Sequence, residues 1–171
     1  HLYARRQRQM CIRDRDKVAR TQNVEATFEA QFAAGLIEFA KSARRKPCFV
    51  FFPMNAIQFG MSDLRSAHRI MAHLPPDIDF RLWERDASLD GVVALLRRVD
   101  AVITMRFHAT IFALSQGKPV TGIDYAVGKP DKVAAVMTDA GFPDDWCQID
   151  ELKADWLSQK LTMMADRGKN R

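Results

Sequence analysis

An arginine and a histidine stand two residues apart in the run Met105-Arg106-Phe107-His108-Ala109-Thr110, directly after an apolar stretch. If that stretch is a strand and a helix follows it, both side chains converge on free backbone N–H groups and the positive helix end. Such a combination suits an anion. Arginine presents a planar fork that matches phosphate or carboxylate, which lysine does not reproduce. Histidine can donate to an anion or exchange a proton near neutral pH. The competing reading is structural. An arginine at a helix start opposes the dipole, so without a ligand it needs a carboxylate, and Asp100, Asp124 and Glu84 are the candidates. His108 taken alone reads as a satisfied, partly buried histidine.

Two other segments fall just past apolar runs and belong in the same comparison. One is Pro53-Met54-Asn55, with Gly60 and Ser62-Asp63 following; the other is Asp124-Tyr125-Ala126-Val127-Gly128-Lys129. Tyr125 and Lys129 are either ligand contacts or solvated loop residues, while Phe107, Phe112 and Leu114 are most simply core. His1, His68 and His73 read as surface residues; His68 and His73 share a helix without the i,i+4 spacing of a metal pair. There is no GxGxxG, no GxxxxGK[ST] and no GxSxG, so dinucleotide, P-loop and hydrolase readings lack their motifs.

The elements that must position these residues alternate along the chain. Phe28, Phe32, Leu36, Ile37 and Phe39 recur at helical spacing, and Lys41 to Lys46 predict a cationic last turn before Pro47. Cys48–Phe52 is a continuous apolar run, expected of a strand covered on both faces. A helix capped by Ser62–Asp63 should reach Leu74, and Ile78–Trp83 reads as the second strand. Ser88 caps the next helix, Ala101–Met105 is the third strand, and Phe107–Gln116 is helical and ends at Gly117. Val120–Asp124 is the fourth strand, Lys129–Ala140 a helix stopping at Gly141, and Glu151–Asp166 a last helix. Strands separated by helices imply a parallel sheet, here Rossmann-like with helices on both faces. Ligands of such sheets sit outside the carboxyl ends of the strands.

Composition bounds the rest. With 171 residues, 47% hydrophobic and 27% charged, the chain fits one globular domain, expected over 16–171. No apolar run approaches the roughly 20 residues of a membrane span. The opening residues are charged and lack the pattern of a secretory signal. Cys11, Cys48 and Cys147 are odd in number and far apart, which fits a reducing, cytoplasmic compartment. Of the formal charge of +5, residues 1–15 hold +4, with five arginines and one aspartate. The domain itself is nearly neutral, so nucleic acid is not an expected partner. Within that segment RQRQMCIRDR resembles translated sequencing-adapter read-through, which would make 1–15 non-native and 16–171 a fragment. The alternative is a genuine basic arm that binds RNA or an acidic membrane surface.

From Asp100 to Pro143 the chain reads DAVITMRFHATIFALSQGKPVTGIDYAVGKPDKVAAVMTDAGFP. This resembles the C-terminal core of the polysaccharide pyruvyl transferase family: an acidic residue, an apolar strand, R-x-H-[AS], an apolar helix, G-x-P-apolar, then a Y-x-x-K-like loop. The gap from Tyr125 to Lys129 is one residue longer than in that pattern, and PMNAIQFGMSD upstream is also similar to the family. The likeness spans about residues 45–145. It implies the C-terminal half of a glycosyltransferase-B-like, two-domain fold whose N-terminal domain is missing here, so that 16–171 alone should be inactive. It implies transfer of a pyruvyl group from phosphoenolpyruvate, without a cofactor, to a sugar of a cell-surface polysaccharide or its precursor. The product is a pyruvate ketal. Arg106 and His108 would be catalytic, with Phe107, Tyr125 and Lys129 joining them in substrate binding. A lipid-linked acceptor would place the protein at the inner face of the membrane.

Two rivals remain. A nucleotide-sugar glycosyltransferase half-domain would use the same cleft and prefer a nucleoside diphosphate. A non-catalytic binding module of the same fold would keep its function without Arg106.

Overall fold

The computed structural model describes residues 23–53, 63–83 and 88–168. The segment 1–15, and with it the choice between artefact and basic arm, lies outside the described residues, as do Ser62 and Glu84. Helix α1 covers residues 23–42, and its apolar positions Phe28, Phe32, Leu36 and Phe39 fall at intervals of four, four and three. All four are buried on one stripe. The helix stops before the basic run: Arg44–Lys46 lie in the link, not in a last turn. Proline at 47 disfavours helical geometry at Lys46, and adjacent like charges do nothing to hold a turn.

Strand β1 (Cys48–Phe51) is followed by α2 (Asp63–His73), β2 (Asp79–Leu82) and α3 (Leu89–Arg98). Then come β3 (Val102–Thr104), α4 (Phe107–Ser115), β4 (Val120–Asp124), α5 (Lys132–Asp139), β5 (Trp146–Gln148) and α6 (Ala154–Gly168). The expected cap of α3 is present, with Ser88 Oγ accepting from Gly91 N at 3.2 Å. Gly117 and Gly141 end α4 and α5 at φ of 65° and 87°, the left-handed backbone that glycine adopts without strain.

Pairing is parallel throughout, but it is split. One ladder joins β1 to β2 in the register Cys48↔Asp79, and the other runs β3-β4-β5 through Val102↔Val120 and Gly122↔Trp146. Among the described residues no ladder joins β1 to β3, so the single sheet expected from the sequence is two ladders. They are united by the packing. Residues of the β3-β4-β5 ladder alternate between two clusters, as the two-residue strand period requires. Phe49, Phe51, Ile103, Ile123 and Cys147 face the cluster built on α1, α2 and α6. Phe52, Val102, Val120 and Trp146 face the one built on α3, α4 and α5. Helices therefore cover both faces. Strand β1 is the exception to full cover: Cys48 is exposed and Val50 is 37% exposed, so this apolar run has one open face.

β4 is buried at all five positions, in the middle of its ladder. Gly122 makes this possible. A Cβ there would sit 2.9 Å from Val133 Cγ1 and 3.0 Å from Met137 Cγ, so only glycine lets α5 lie this close. Strand β5 is absent from the sequence reading, because three residues between turn-forming acids carry no period. Helices α5 and α6 both begin three residues later than their patterns suggest. For α5 the cause is Pro130, which pushes Lys129 out of helical geometry.

An ion-pair cluster ties α6 to the turn before β5. Lys160 Nζ donates to Asp145 Oδ1 at 2.8 Å and Arg167 Nη1 to Oδ2 at 3.2 Å. Burial would raise the Asp145 carboxyl, but hydrogen bonds and charges from Lys160 and Arg167 outweigh it and hold it below its ordinary range. A depressed folded-state value contributes stability above the ordinary aspartate value, about pH 4, and that contribution is lost as pH falls through the folded one. Asp145→Asn should therefore lower the unfolding midpoint at pH 7 and narrow its gap to wild type in strong acid, read by urea titration at several pH values.

Candidate functional site

The carboxyl ends of β1 and β3 are where the chain changes sides. Helix α2, which leaves the β1 end, packs into the first cluster through Ile70, while α3, α4 and α5 pack into the second. In an open parallel sheet such a reversal is where a ligand crevice is expected, outside the strand ends. Arg106 stands there, as the N-cap of α4 with extended backbone at φ −114° and ψ 128°.

Two buried threonines hold its backbone. Arg106 N donates to Thr104 Oγ1 at 3.2 Å, and Thr110 donates to Arg106 O from both its N, at 2.9 Å, and its Oγ1, at 3.0 Å. Thr104 is 5% exposed and Thr110 fully buried, so these bonds form away from competing water. The junction is thus set by T-x-R-x-x-x-T. Neither threonine stood out in the sequence reading. A lone threonine inside the apolar run AVITM, with another one turn into the next helix, was the signal available.

The guanidinium is paired, with a partner the sequence did not suggest. Arg106 Nε donates to Asp63 Oδ1 at 3.1 Å and to Oδ2 at 3.3 Å, and Nη2 also bonds to Oδ1. Asp63 opens α2, so the bond links the helix that follows β1 to the junction that follows β3. Of the carboxylates expected for this role, Asp100 is exposed beyond α3 and Asp124 is committed elsewhere. The pair keeps access to solvent, with side-chain exposures of 39% for Arg106 and 23% for Asp63.

His108 is exposed in the first turn of α4, its ring edge-on to Phe107 with centroids 5.3 Å apart. It is therefore not the buried, satisfied histidine of the structural reading. Among the described residues it has no hydrogen bond or ion pair. No acidic residue occupies the first turn of α4, so the free N–H groups there add to the positive charge of Arg106.

On the neighbouring strand, Asp124 is fully buried and arranges the next loop. Its Oδ1 accepts from Ala126 N at 3.0 Å, and its Oδ2 accepts from Asp131 N at 2.9 Å and Ala134 N at 3.0 Å. Gln148 Nε2, from β5, donates to Ala126 O at 3.2 Å. Ala126 is held at both its polar groups, and Tyr125 and Val127 beside it are left 45% and 58% exposed. Lys129 is exposed in the same loop. Arg106, Phe107 and His108 are thus brought together by the junction, whereas Tyr125 and Lys129 stand in the loop that follows the neighbouring strand. Among the described residues no hydrogen bond or ion pair joins these two to Arg106 or His108.

The Cys147 thiol is pushed up to about 12 by burial and by the charge of Glu151, so it is no nucleophile at neutral pH. Among the described residues no group of three or more His, Cys, Asp or Glu is placed to hold a metal ion, and no helix is long and apolar enough to cross a membrane. A chemistry of anion binding and proton transfer is what Arg106, His108 and the α4 N-terminus can perform.

A sequence model of the family described as polysaccharide pyruvyl transferase matches residues 40–126, half of the chain. The match takes in Asp63, Arg106–His108 and Tyr125 and ends before Lys129. No curated protein and no solved structure matches the chain.

Proposed function

The chain belongs to the polysaccharide pyruvyl transferase family, a family of transferases of polysaccharide biosynthesis, and we propose that its donor is phosphoenolpyruvate. Arg106 holds the donor's carboxylate or phosphate, and His108 bonds the phosphate or supplies a proton. The reaction begins with protonation of the donor's methylene carbon, which leaves an oxocarbenium-like centre at the carbon bearing the phosphate. One sugar hydroxyl adds there and loses its proton. The bond from that carbon to the phosphate oxygen breaks, inorganic phosphate departs with one proton, and a second hydroxyl adds and loses its proton to close the ketal, so that the two hydroxyl protons balance those taken up by the methylene carbon and the phosphate. Cations fixed in a crevice stabilise the charge gathering on the departing phosphate more than mobile ones in water. Phe107, Tyr125 and Lys129 are further substrate contacts. The acceptor sits on the second half of a glycosyltransferase-B-like pair that closes over the strand ends. A soluble acceptor places the reaction in the cytoplasm, a lipid-linked one at the inner membrane face.

The observation that carries this reading is Arg106, anchored by buried threonines at a strand-to-helix junction beside an exposed His108. Its pairing with Asp63 is the one feature that favours a non-catalytic role. The test is a release assay with the full-length protein, phosphoenolpyruvate or a uridine diphosphate sugar as donor, and a panel of sugar acceptors. Phosphate release from the former supports pyruvyl transfer. Release of uridine diphosphate alone identifies the glycosyltransferase, and a function that Arg106→Ala leaves intact identifies the binding module.

A further inference from the structure

We infer that Asp63 is a positioning residue, which holds one edge of the Arg106 fork so that the other is presented to a single anionic group. The inference rests on the reading that Arg106 binds the donor. A guanidinium carries five N–H donors in one plane, enough for two bidentate partners. One partner fits the side edge of Nε and Nη2, the other the end edge of Nη1 and Nη2. Asp63 occupies the side edge: Nε lies 3.1 and 3.3 Å from its two oxygens, and Nη2 bonds to the first of them. Among the described residues Nη1 has no partner, and the side chain is 39% exposed, so the end edge is open.

Both ends of the arginine are thereby fixed. Thr104 and Thr110 hold its peptide groups, and Asp63 holds the fork from the first turn of α2. Asp63 is itself well placed, since a carboxylate in the first turn of α2 is favoured by that helix's dipole. The arrangement has a consequence for specificity. The pair has no net charge, so attraction at long range is weak and recognition depends on the geometry of the open edge and on the α4 N–H groups. A planar carboxylate or one phosphate face fits that edge end-on. Lysine could not serve both partners, because its ammonium is a point charge without two edges.

The experiment is a set of affinity titrations of the full chain with phosphoenolpyruvate and with inorganic phosphate. Asp63→Ala should weaken binding about three- to tenfold, the range set by freeing one long side chain. In an Arg106→Lys background the same change should strengthen binding, because it releases the ammonium from its competitor. A purely structural Asp63 would not reverse the sign. Asp63→Asn, which keeps an oxygen facing Nε, should stay within about threefold of wild type and reports if Asp63→Ala fails to fold. Tighter binding by Asp63→Ala with Arg106 intact would overturn the inference, since Asp63 would then compete with the ligand. Unchanged affinity in both backgrounds, or Asp63→Asn binding more than about tenfold weaker than wild type, would overturn it too. Failure of the underlying reading has a separate mark: Arg106→Ala would then leave the affinity for phosphoenolpyruvate unchanged.

Discussion

Arg106→Ala should reduce phosphate release from phosphoenolpyruvate by about a hundred- to a thousandfold, the usual effect of removing one fixed charge-stabilising group. The fold should hardly notice. The junction is built from the backbone of Arg106 and the hydroxyls of Thr104 and Thr110, none of which the substitution removes. Its ion pair with Asp63 is well exposed on the arginine side, and exposed pairs contribute about 1 kcal/mol at most. Asp63 would keep the favourable end of α2. The expected result is therefore a large loss of activity with an unfolding midpoint close to wild type, read by a release assay beside a urea titration. Arg106→Lys should not restore the rate. A stable variant that retained full activity would leave Arg106 with a structural role only.

The largest loss of stability should come from Asp124→Ala. Asp124 is fully buried and accepts from three backbone N–H groups, one before the loop's turn and two at the start of α5. Alanine strands those donors, and each buried group left unpaired costs about 1–3 kcal/mol. Asp131 is exposed, so water can reach part of the gap. A net loss of about 3–5 kcal/mol is expected, the range for breaking a buried charged contact. That would be a large part of a domain's total stability. Asp124→Asn keeps an acceptor oxygen and should lose less. Chemical unfolding of the two variants against wild type checks the order. If Asp124→Ala unfolded at the wild-type midpoint, the loop of Tyr125 would not depend on this carboxylate.

Local features of the fold were legible in the sequence. Val120–Asp124 is the strand its apolar run suggests, Ser88 caps α3, and Gly117 and Gly141 end α4 and α5. Each depends on a few neighbouring residues. The misses share the opposite property. Asp63 lies 43 residues before Arg106, and their meeting depends on which strands adjoin, which no local spacing reveals. Asp124 looked like a candidate partner for that arginine because it is acidic and near, yet it points back to serve its own loop. The split between the two ladders is likewise a matter of register between distant strands. Arg106 and His108 were legible as a candidate site because they stand two residues apart in the chain. How the site is held was not.

The account stands on phosphoenolpyruvate binding at Arg106, and an NMR titration of the protein with phosphoenolpyruvate and, separately, uridine diphosphate tests that most directly. Shifts at Arg106 and His108 should appear at lower concentrations of phosphoenolpyruvate than of the nucleotide and vanish in Arg106→Ala. A preference for the nucleotide, or phosphoenolpyruvate shifts that persist in Arg106→Ala, would contradict it.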